Sequence, residues 1–251
     1  MKLRLTILFM LIYSMNLMSQ KNSSPIDFVK GADVGFLPGQ ERRGIRFHDR
    51  NGHERDCLEL LKTDYQMSAI RMRVWVNPRG GMNDKNELLS IAKRVKSLGM
   101  DLMVDFHYSD SWADPGKQPI PKAWLGHSYD EMKFDMVGMS LYPYWAMEGH
   151  PELKADDIIS DCIANIRHVS EKYGCDVMIV ETGFEVDESH PEVMDEGRRQ
   201  LSRIIQESRT ETNGHCRGVF YWEPQCLPGG YKLGAFDSNA SPTAIMEGFI
   251  E

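Results

Sequence analysis

The sequence lacks the motifs of several large functional classes. It contains no glycine-rich phosphate loop, no HExxH motif and no CxxC pair, so the usual signatures of nucleotide-dependent and zinc-dependent chemistry are missing. It also has no basic patch. Its 29 Lys and Arg residues stand against 37 Asp and Glu, and the formal net charge of −8 argues against a nucleic-acid partner. No low-complexity run or linker divides the chain, which favours one globular domain.

Cysteine is scarce and odd in number. At least one of the five cysteines must be unpaired. Cys216 and Cys226 are the nearest pair in sequence, and export would permit a disulfide between them. Buried apolar thiols are an equally good reading of the same residues.

The first twenty residues have the pattern of an export signal. Lys2 and Arg4 precede an apolar run over residues 5–12, which continues more weakly to residue 18. The residues that follow the apolar run contain no clean small-x-small cleavage site. The alternatives are a buried N-terminal element or a membrane anchor, but the run is short for a spanning helix of about 20 residues. We therefore predict a signal peptide over 1–20 and a single fold over 21–251, exported to the periplasm or the extracellular space, with no later span.

Hydrophobic patterning predicts alternating strands and helices. Short apolar runs predict strands at 28–37, 69–76, 102–108, 134–142, 177–184 and 218–223. Helical periodicity over 56–64, 85–98, 155–173 and 192–208 separates most of them. Alternation of this kind indicates a parallel α/β sheet, and the length suits a barrel. Only six strands are visible, however, where a closed barrel has eight, and residues 109–131 carry no helical pattern.

Charged and aromatic side chains collect at the predicted carboxyl ends of the strands, which is where parallel folds place their sites. Arg71, Arg73 and Trp75 share one face of the second strand, and Asp105 and His107 share one face of the third. Other strand ends supply Tyr142, Trp145, Glu181, Trp222 and Glu223. Rings that can stack on sugars, together with carboxylates, are typical of glycoside hydrolases. Glu181 alone would also fit a surface residue just past a strand.

Several segments together resemble glycoside hydrolase family 53, the endo-β-1,4-galactanases that cut the arabinogalactan side chains of pectin. The segments are KGADV from residue 30, IRMRVWVNP from 70, DFHYSDSWADPGKQ from 105, FDMVGMSLYPYW from 134, VETG from 180 and GVFYWEP from 218. The resemblance runs from about residue 30 to the C-terminus.

The resemblance implies a (β/α)8 TIM barrel and a retaining mechanism. In that mechanism Glu181 is the nucleophile, Arg73 keeps it ionised and Tyr142 hydrogen-bonds it. The remaining expected substrate-binding residues are Asp105, His107, Trp112, Asp114, Trp145, Trp222 and Glu223. No cofactor is expected, and no metal site is assigned. Some family members bind calcium, but the sequence indicates no position for it.

The sequence departs from the family at one important place. The family's acid/base glutamate follows Asn at the end of strand four in a Gly-Asn-Glu motif, and no such motif occurs here. The chain passes at a junction near 124–128 almost directly to the segment before family strand six. We therefore expect an incomplete barrel of about six β/α units, with strands four and five missing.

Three interpretations of the chain follow from this pattern. The first is a glycoside hydrolase of galactan or arabinogalactan whose nucleophile is kept and whose activity is impaired. The second is a non-catalytic protein that binds galactan oligosaccharides. The third is a truncated product without function.

Overall fold

The computed structural model describes residues 27–75, 78–106, 112 and 136–251. The expected signal peptide, the junction near 124–128, His107 and Asp114 lie outside the described residues. In chain order the main elements are β1 (Val29–Asp33), α1 (Leu37–Arg42), β2 (Phe47–His48), β3 (Glu54–Arg55), α2 (Cys57–Thr63), β4 (Ala69–Val74), α3 (Lys85–Ser97), β5 (Asp101–Phe106), β6 (Met136–Leu141), α4 (Pro143–Gly149), α5 (Ala155–Tyr173), β7 (Asp176–Thr182), α6 (Pro191–Thr210) and β8 (Cys216–Trp222). Short 3₁₀ helices span Arg79–Gly81 and Ala244–Phe249.

Six parallel strands form one sheet in the order β5–β4–β1–β8–β7–β6. The first strand pairs with the last, as in a closed (β/α) barrel, and Gly31 lies beside Phe220 in that pairing. Within the described residues, β5 and β6 are the outermost strands. The structure is thus a barrel sheet with an intact β1–β8 seam, incomplete between β5 and β6.

The two faces of the sheet pack differently. Helices cover the outer face in one large apolar core, to which α2, α5 and α6 contribute buried leucine and isoleucine side chains. The inner face holds a smaller cluster from all six strands, with Ala69, Met178 and Phe220 buried and Val29, Met103, Met136 and Val180 partly buried. The inner core is therefore complete near the seam and thinner toward the outermost strands.

Local sequence explains where the main helices begin and end. The side chain of Asp84 accepts hydrogen bonds from the backbone N–H groups of Asn86 and Glu87, which caps α3. Asp56 caps α2 in the same way, through the N–H of Glu59. Helix α5 ends at Gly174, whose φ of 64° is left-handed and suits glycine.

The six predicted strands and the four predicted helices are confirmed, with shifts at their ends. The two-residue hairpin of β2 and β3 and the short helices α1 and α4 were not expected from hydrophobic periodicity, because they are too short to show a period. All five cysteines are free thiols, so Cys216 and Cys226 are not paired. A search of the described helices finds none whose length and apolarity would suit a membrane span.

The hydroxyl of Tyr221 ties three segments together beneath the carboxyl edge of the sheet. It accepts a hydrogen bond from Phe184 N–H at 2.9 Å and donates one to the carbonyl of Gly234 at 2.6 Å, and the side chain is fully buried. We predict that Tyr221→Phe lowers the free energy of unfolding by about 1–3 kcal/mol, because two buried backbone groups lose their partner.

Tyr173→Phe is the matched control, since that side chain is 62% exposed at the end of α5. Urea denaturation followed by circular dichroism measures both variants. Equal stability of the two variants would contradict the role assigned to Tyr221.

Candidate active site

Arg71 is the centre of a cluster of carboxylates at the carboxyl edge of the sheet. Its Nη1 donates to Asp33 Oδ2 at 2.9 Å and to Glu181 Oε1 at 3.0 Å, and its Nη2 donates to Asp105 Oδ2 at 2.8 Å. Asp33, Asp105 and Glu181 come from β1, β5 and β7. Burial acts to lower the pKa of Arg71, but the carboxylates raise it above its ordinary value. The guanidinium therefore remains charged and fixes three strand ends to one another.

Glu181 meets both this guanidinium and a hydroxyl. Its Oε2 accepts a hydrogen bond from Ser140 Oγ of β6 at 3.1 Å. Its side chain is 26% exposed, so solvent and ligands reach it while both oxygens are held. Glu181 thus has the orientation and the access that a nucleophilic carboxylate needs.

The expectation that Arg73 supports Glu181 is wrong, because Arg71 does so. Both arginines lie on the inner face of β4, but in the sheet register Asp33 pairs with Arg71, and Arg73 lies two residues further toward the edge. Arg73 instead forms an ion pair with Glu223 and lies 3.6 Å from Asp33.

Arg73 is enclosed by aromatic rings. Its guanidinium carbon lies 4.9 Å from the ring centre of Phe36, 4.6 Å from that of Trp112 and 5.4 Å from that of Trp222. Trp75 adds an edge contact to Trp112 at 5.2 Å. We call Phe36, Trp112 and Trp222 the aromatic cluster. Since Trp112 is 42% exposed, this cluster presents an aromatic surface beside the carboxylates.

Glu223 does not line the site, contrary to the expectation that it binds substrate. Its side chain is fully buried, and a φ of 51° turns it inward, where the N–H of Phe36 donates to both carboxylate oxygens at 3.1 and 3.0 Å. Burial raises the pKa of Glu223 to about 8, helped by Asp33 and opposed by Arg73. Its role is to hold Phe36 and Arg73 in place.

Two tyrosine hydroxyls lie near enough to Glu181 for its charge to act on them. Tyr142 and Tyr231 also lie close to each other, and the expected hydrogen bond from Tyr142 to Glu181 is not found among the described residues. Burial, followed by smaller contributions that include the charge of Glu181, raises the pKa of both hydroxyls, so both remain neutral donors. Tyr231 in turn packs against Trp222 with ring centres 4.5 Å apart.

Trp145 forms a second, separate aromatic position. It lies on α4 just past the end of β6, is 42% exposed, and packs edge-on against Tyr144 at 5.1 Å. Lys232 lies 4.1 and 4.8 Å from the centres of these two rings. The described residues contain no group of three or more ligating side chains that could hold a metal ion.

Sequence reasoning missed several members of the site. Asp33, Ser140, Phe36 and Tyr231 were not singled out, although Asp33 ends an apolar strand just as Glu181 does. That shared signal would have found Asp33. Nothing local marks Tyr231, which reaches the site from the loop after β8.

Gly35 makes the close packing around Arg73 possible. A Cβ built at Gly35 would lie 2.2 Å from Arg73 Nη2, whereas one at Gly39 would have its nearest neighbour at 3.5 Å. We predict that Gly35→Ala shifts the guanidinium, lowers the free energy of unfolding by about 1–3 kcal/mol and changes the tryptophan emission. Gly39→Ala, a helical position on α1, should be neutral or stabilising by up to about 1 kcal/mol.

Chemical denaturation followed by tryptophan fluorescence measures both effects in one experiment. An unchanged emission spectrum in Gly35→Ala would refute the assigned packing.

The sequence comparisons with known proteins point to one family of glycoside hydrolases. A family model described as glycosyl hydrolase family 53 matches residues 29–133 and 129–245, so its two matched segments meet at 129–133. An endo-β-1,4-galactanase of Bacillus subtilis is 40% identical over 115 residues, which is 43% of this chain and 27% of that protein. An arabinogalactan endo-β-1,4-galactanase A of Emericella nidulans is 36% identical over 112 residues, 45% of this chain and 32% of that protein. The aligned stretch thus spans about a third or less of each relative.

Solved structures share the fold over most of the chain. One of two fungal β-1,4-galactanases superimposes with a TM-score of 0.72 at 17% identity, covering 89% of this chain and 99% of the other. The family 53 catalytic domain of Ignisphaera aggregans gives 0.70 at 21% identity, with 91% and 97% covered. At these identities the likeness establishes the fold alone, and it agrees with an incomplete TIM barrel.

Proposed function

Because the chain belongs to glycosyl hydrolase family 53, we propose that it acts on the β-1,4-galactan or arabinogalactan side chains of pectin through Glu181. The observation that carries this proposal is the orientation of Glu181 by Arg71 and Ser140 at the carboxyl edge of the sheet. Galactanases are also the matched relatives with a stated activity, although each aligns over only part of its length.

The reaction begins with attack of a Glu181 oxygen on the anomeric carbon of a galactosyl unit. The bond from that carbon to the leaving oxygen breaks as a galactosyl ester of Glu181 forms. Hydrolysis of this ester then gives a product whose anomeric configuration is retained. Arg71 and Ser140 hold the carboxylate in place, so little reorganisation is needed at the moment of attack.

Sugar rings are recognised by the aromatic residues at the same edge. Trp112 and Trp145 are each 42% exposed, and Trp222 lies between Arg73 and Tyr231. An exposed ring offers a flat apolar face to the apolar face of galactose. Two separated rings suit an extended oligosaccharide better than a single sugar.

Proton delivery to the leaving oxygen limits the rate. The family's acid/base motif Gly-Asn-Glu is absent from the sequence. Loss of general acid assistance costs typically about 10²–10⁴-fold, and a sugar is a poor leaving group without it. We therefore infer slow hydrolysis of galactan, and binding of galactan that is less affected than hydrolysis.

Galactan binding without turnover is the second candidate function. It is favoured by the same exposed tryptophans, which need no acid to bind sugar. Both functions suit an exported protein, and we propose that residues 1–20 direct export. No cofactor is required for either. A calcium ion is compatible with the family, and no described residues are assigned to it.

Replacing Glu181 tests the nucleophile directly. We predict that the native chain forms a covalent adduct with 2,4-dinitrophenyl 2-deoxy-2-fluoro-β-galactoside, because dinitrophenolate leaves without a proton. Glu181→Gln should form none while still binding galactooligosaccharides. Intact-protein mass spectrometry detects the adduct, and reducing-sugar release from galactan gives the turnover.

Glu185→Gln is the matched control, four residues further along the chain in the segment that follows β7. Full adduct formation or galactan turnover in Glu181→Gln would remove the nucleophile assignment.

Trp145 tests the aromatic contribution to binding. We predict that Trp145→Ala weakens the binding of galactotetraose by roughly tenfold, because about 1–2 kcal/mol of aromatic burial is lost. Tyr173→Ala removes a ring that is 62% exposed far from the site and should leave affinity unchanged. Isothermal titration calorimetry compares the two. Equal affinities would show that Trp145 does not contact the sugar.

A further inference from the structure

Asp105 is the second carboxylate that reaches solvent at the Arg71 cluster. Asp33 and Glu223 have no exposed side-chain surface, whereas the side chains of Asp105 and Glu181 are 28% and 26% exposed. Of the four carboxylates bound to the two arginines, only these two can therefore touch a water molecule and a sugar together.

The curvature of the sheet brings Asp105 and Glu181 to opposite sides of one guanidinium. Arg71 is on β4, and in sheet order β1 and β8 separate it from β7. A direct bond from Arg71 to Glu181 shows that the sheet curls enough to close this gap. Since β5 lies on the far side of β4, Asp105 approaches the guanidinium from the other flank.

The separation of the two carboxylates suits paired catalytic groups. Glu181 Oε1 lies 3.0 Å from Nη1 and Asp105 Oδ2 lies 2.8 Å from Nη2 of the same side chain. These contacts and the width of one guanidinium keep the two oxygens within roughly 9.5 Å, the largest separation at which inverting glycosidases hold a water molecule between their carboxyls. A water molecule bound at Asp105 can thus reach a sugar carried on Glu181.

The hydrogen bond from Arg71 indicates which task Asp105 performs. Arginine has donors and no acceptor, so the Asp105 oxygen on Arg71 is an acceptor. A carboxylate held in this way suits taking a proton from water and does not suit giving one to a leaving sugar.

We propose that Asp105 is the general base that activates the water releasing galactose from Glu181. This inference rests on the proposed function of Glu181. In the first step a Glu181 oxygen bonds to the anomeric carbon while the leaving group departs with its electron pair. In the second, water bonds to that carbon and Asp105 takes its proton. As that bond forms, the ester bond breaks with its electrons returning to Glu181, and Asp105 afterwards passes the proton to solvent.

Because Asp105 supplies a base and not an acid, the chain should discriminate between galactosides by their leaving group. Galactosides whose leaving group is stable as an anion need no acid in the first step, so the chain should turn them over. Galactan needs the acid and should react slowly in that step. Small anions such as azide attack without a base, so they can replace water when Asp105 is absent.

The test uses the full chain with 2,4-dinitrophenyl β-galactoside. Asp105→Asn should release one equivalent of dinitrophenolate in a burst and then turn over about 10²-fold more slowly than the native chain. Its mass should rise by one galactosyl group. Azide should restore turnover by at least about tenfold and yield β-galactosyl azide, while the native chain responds little.

Asp176→Asn is the matched control. Asp176 is 29% exposed and pairs with Arg217 at 2.8 Å, but it lies at the opposite end of β7. It should show neither burst nor azide response. Asp105→Glu keeps a carboxylate and should turn over faster than Asp105→Asn, with a smaller burst.

The outcomes distinguish a failure of the role proposed for Asp105 from a failure of the role proposed for Glu181. If the native chain itself accumulates the galactosyl adduct, or if Asp105→Asn shows no adduct and no azide acceleration, the role of Asp105 is overturned and that of Glu181 stands. The first of these measurements needs no variant to fold. If the native chain releases no dinitrophenolate above the buffer rate, or if Glu181→Gln releases as much, the proposed function fails and the role of Asp105 with it.

Discussion

The structure depends on the need to neutralise two buried arginines that one strand presents to the inner face of the sheet. Arg71 and Arg73 are 8% and 2% exposed. A buried charge is tolerated only when it is paired and hydrogen-bonded, and removing one partner from such a pair costs about 3–5 kcal/mol. Asp33 is the shared partner, since it contacts Arg71 at 2.9 Å and Arg73 at 3.6 Å. The carboxylates at the ends of the neighbouring strands complete the balance.

The charge pairing at the two arginines links the exposed carboxylates to the aromatic cluster. On one side of Asp33, Arg71 orients Glu181 and Asp105. On the other, Arg73 is held by Glu223 and packs against the aromatic cluster. A disturbance at either arginine is therefore transmitted through Asp33 to the other. The site behaves as a single electrostatic unit, although its members come from five strands and from three positions outside them, Phe36, Trp112 and Glu223.

The outermost strands of the incomplete sheet contain the fewest buried residues. The last three residues of β1 are buried, and five of the seven residues of β8 are buried. No residue of β5 is buried, and in β6 only Leu141 is. Regions with few buried contacts open most readily. Asp105 stands on β5 and Ser140 on β6, so the groups around Glu181 rest partly on the least stable strands.

The sequence predicted the alternating architecture because parallel strands covered on both faces read as short apolar runs. It also placed Glu181 at a strand end and Arg71 on the same strand face as Arg73. It showed in addition that the Gly-Asn-Glu motif of family strand four is absent. It named Arg73 in place of Arg71 as the partner of Glu181, since both share a face and only the register separates them. It placed Glu223 in the substrate site from the resemblance, whereas this residue lies just past β8 with a positive φ and a fully buried side chain.

The direction of proton transfer explains why the two halves of a glycosidase reaction are unequally affected here. Every bond at Arg71 and Arg73 runs from nitrogen to carboxylate, so the described core of the site is rich in acceptors. The neutral donors near Glu181 include the hydroxyls of Ser140, Tyr142 and Tyr231, and burial raises the pKa of both tyrosines. Such groups can hold a sugar or a carboxylate, but they give up a proton far less readily than a carboxylic acid. A site of this composition is therefore better suited to binding a galactosyl unit and releasing it to water than to expelling an unactivated sugar.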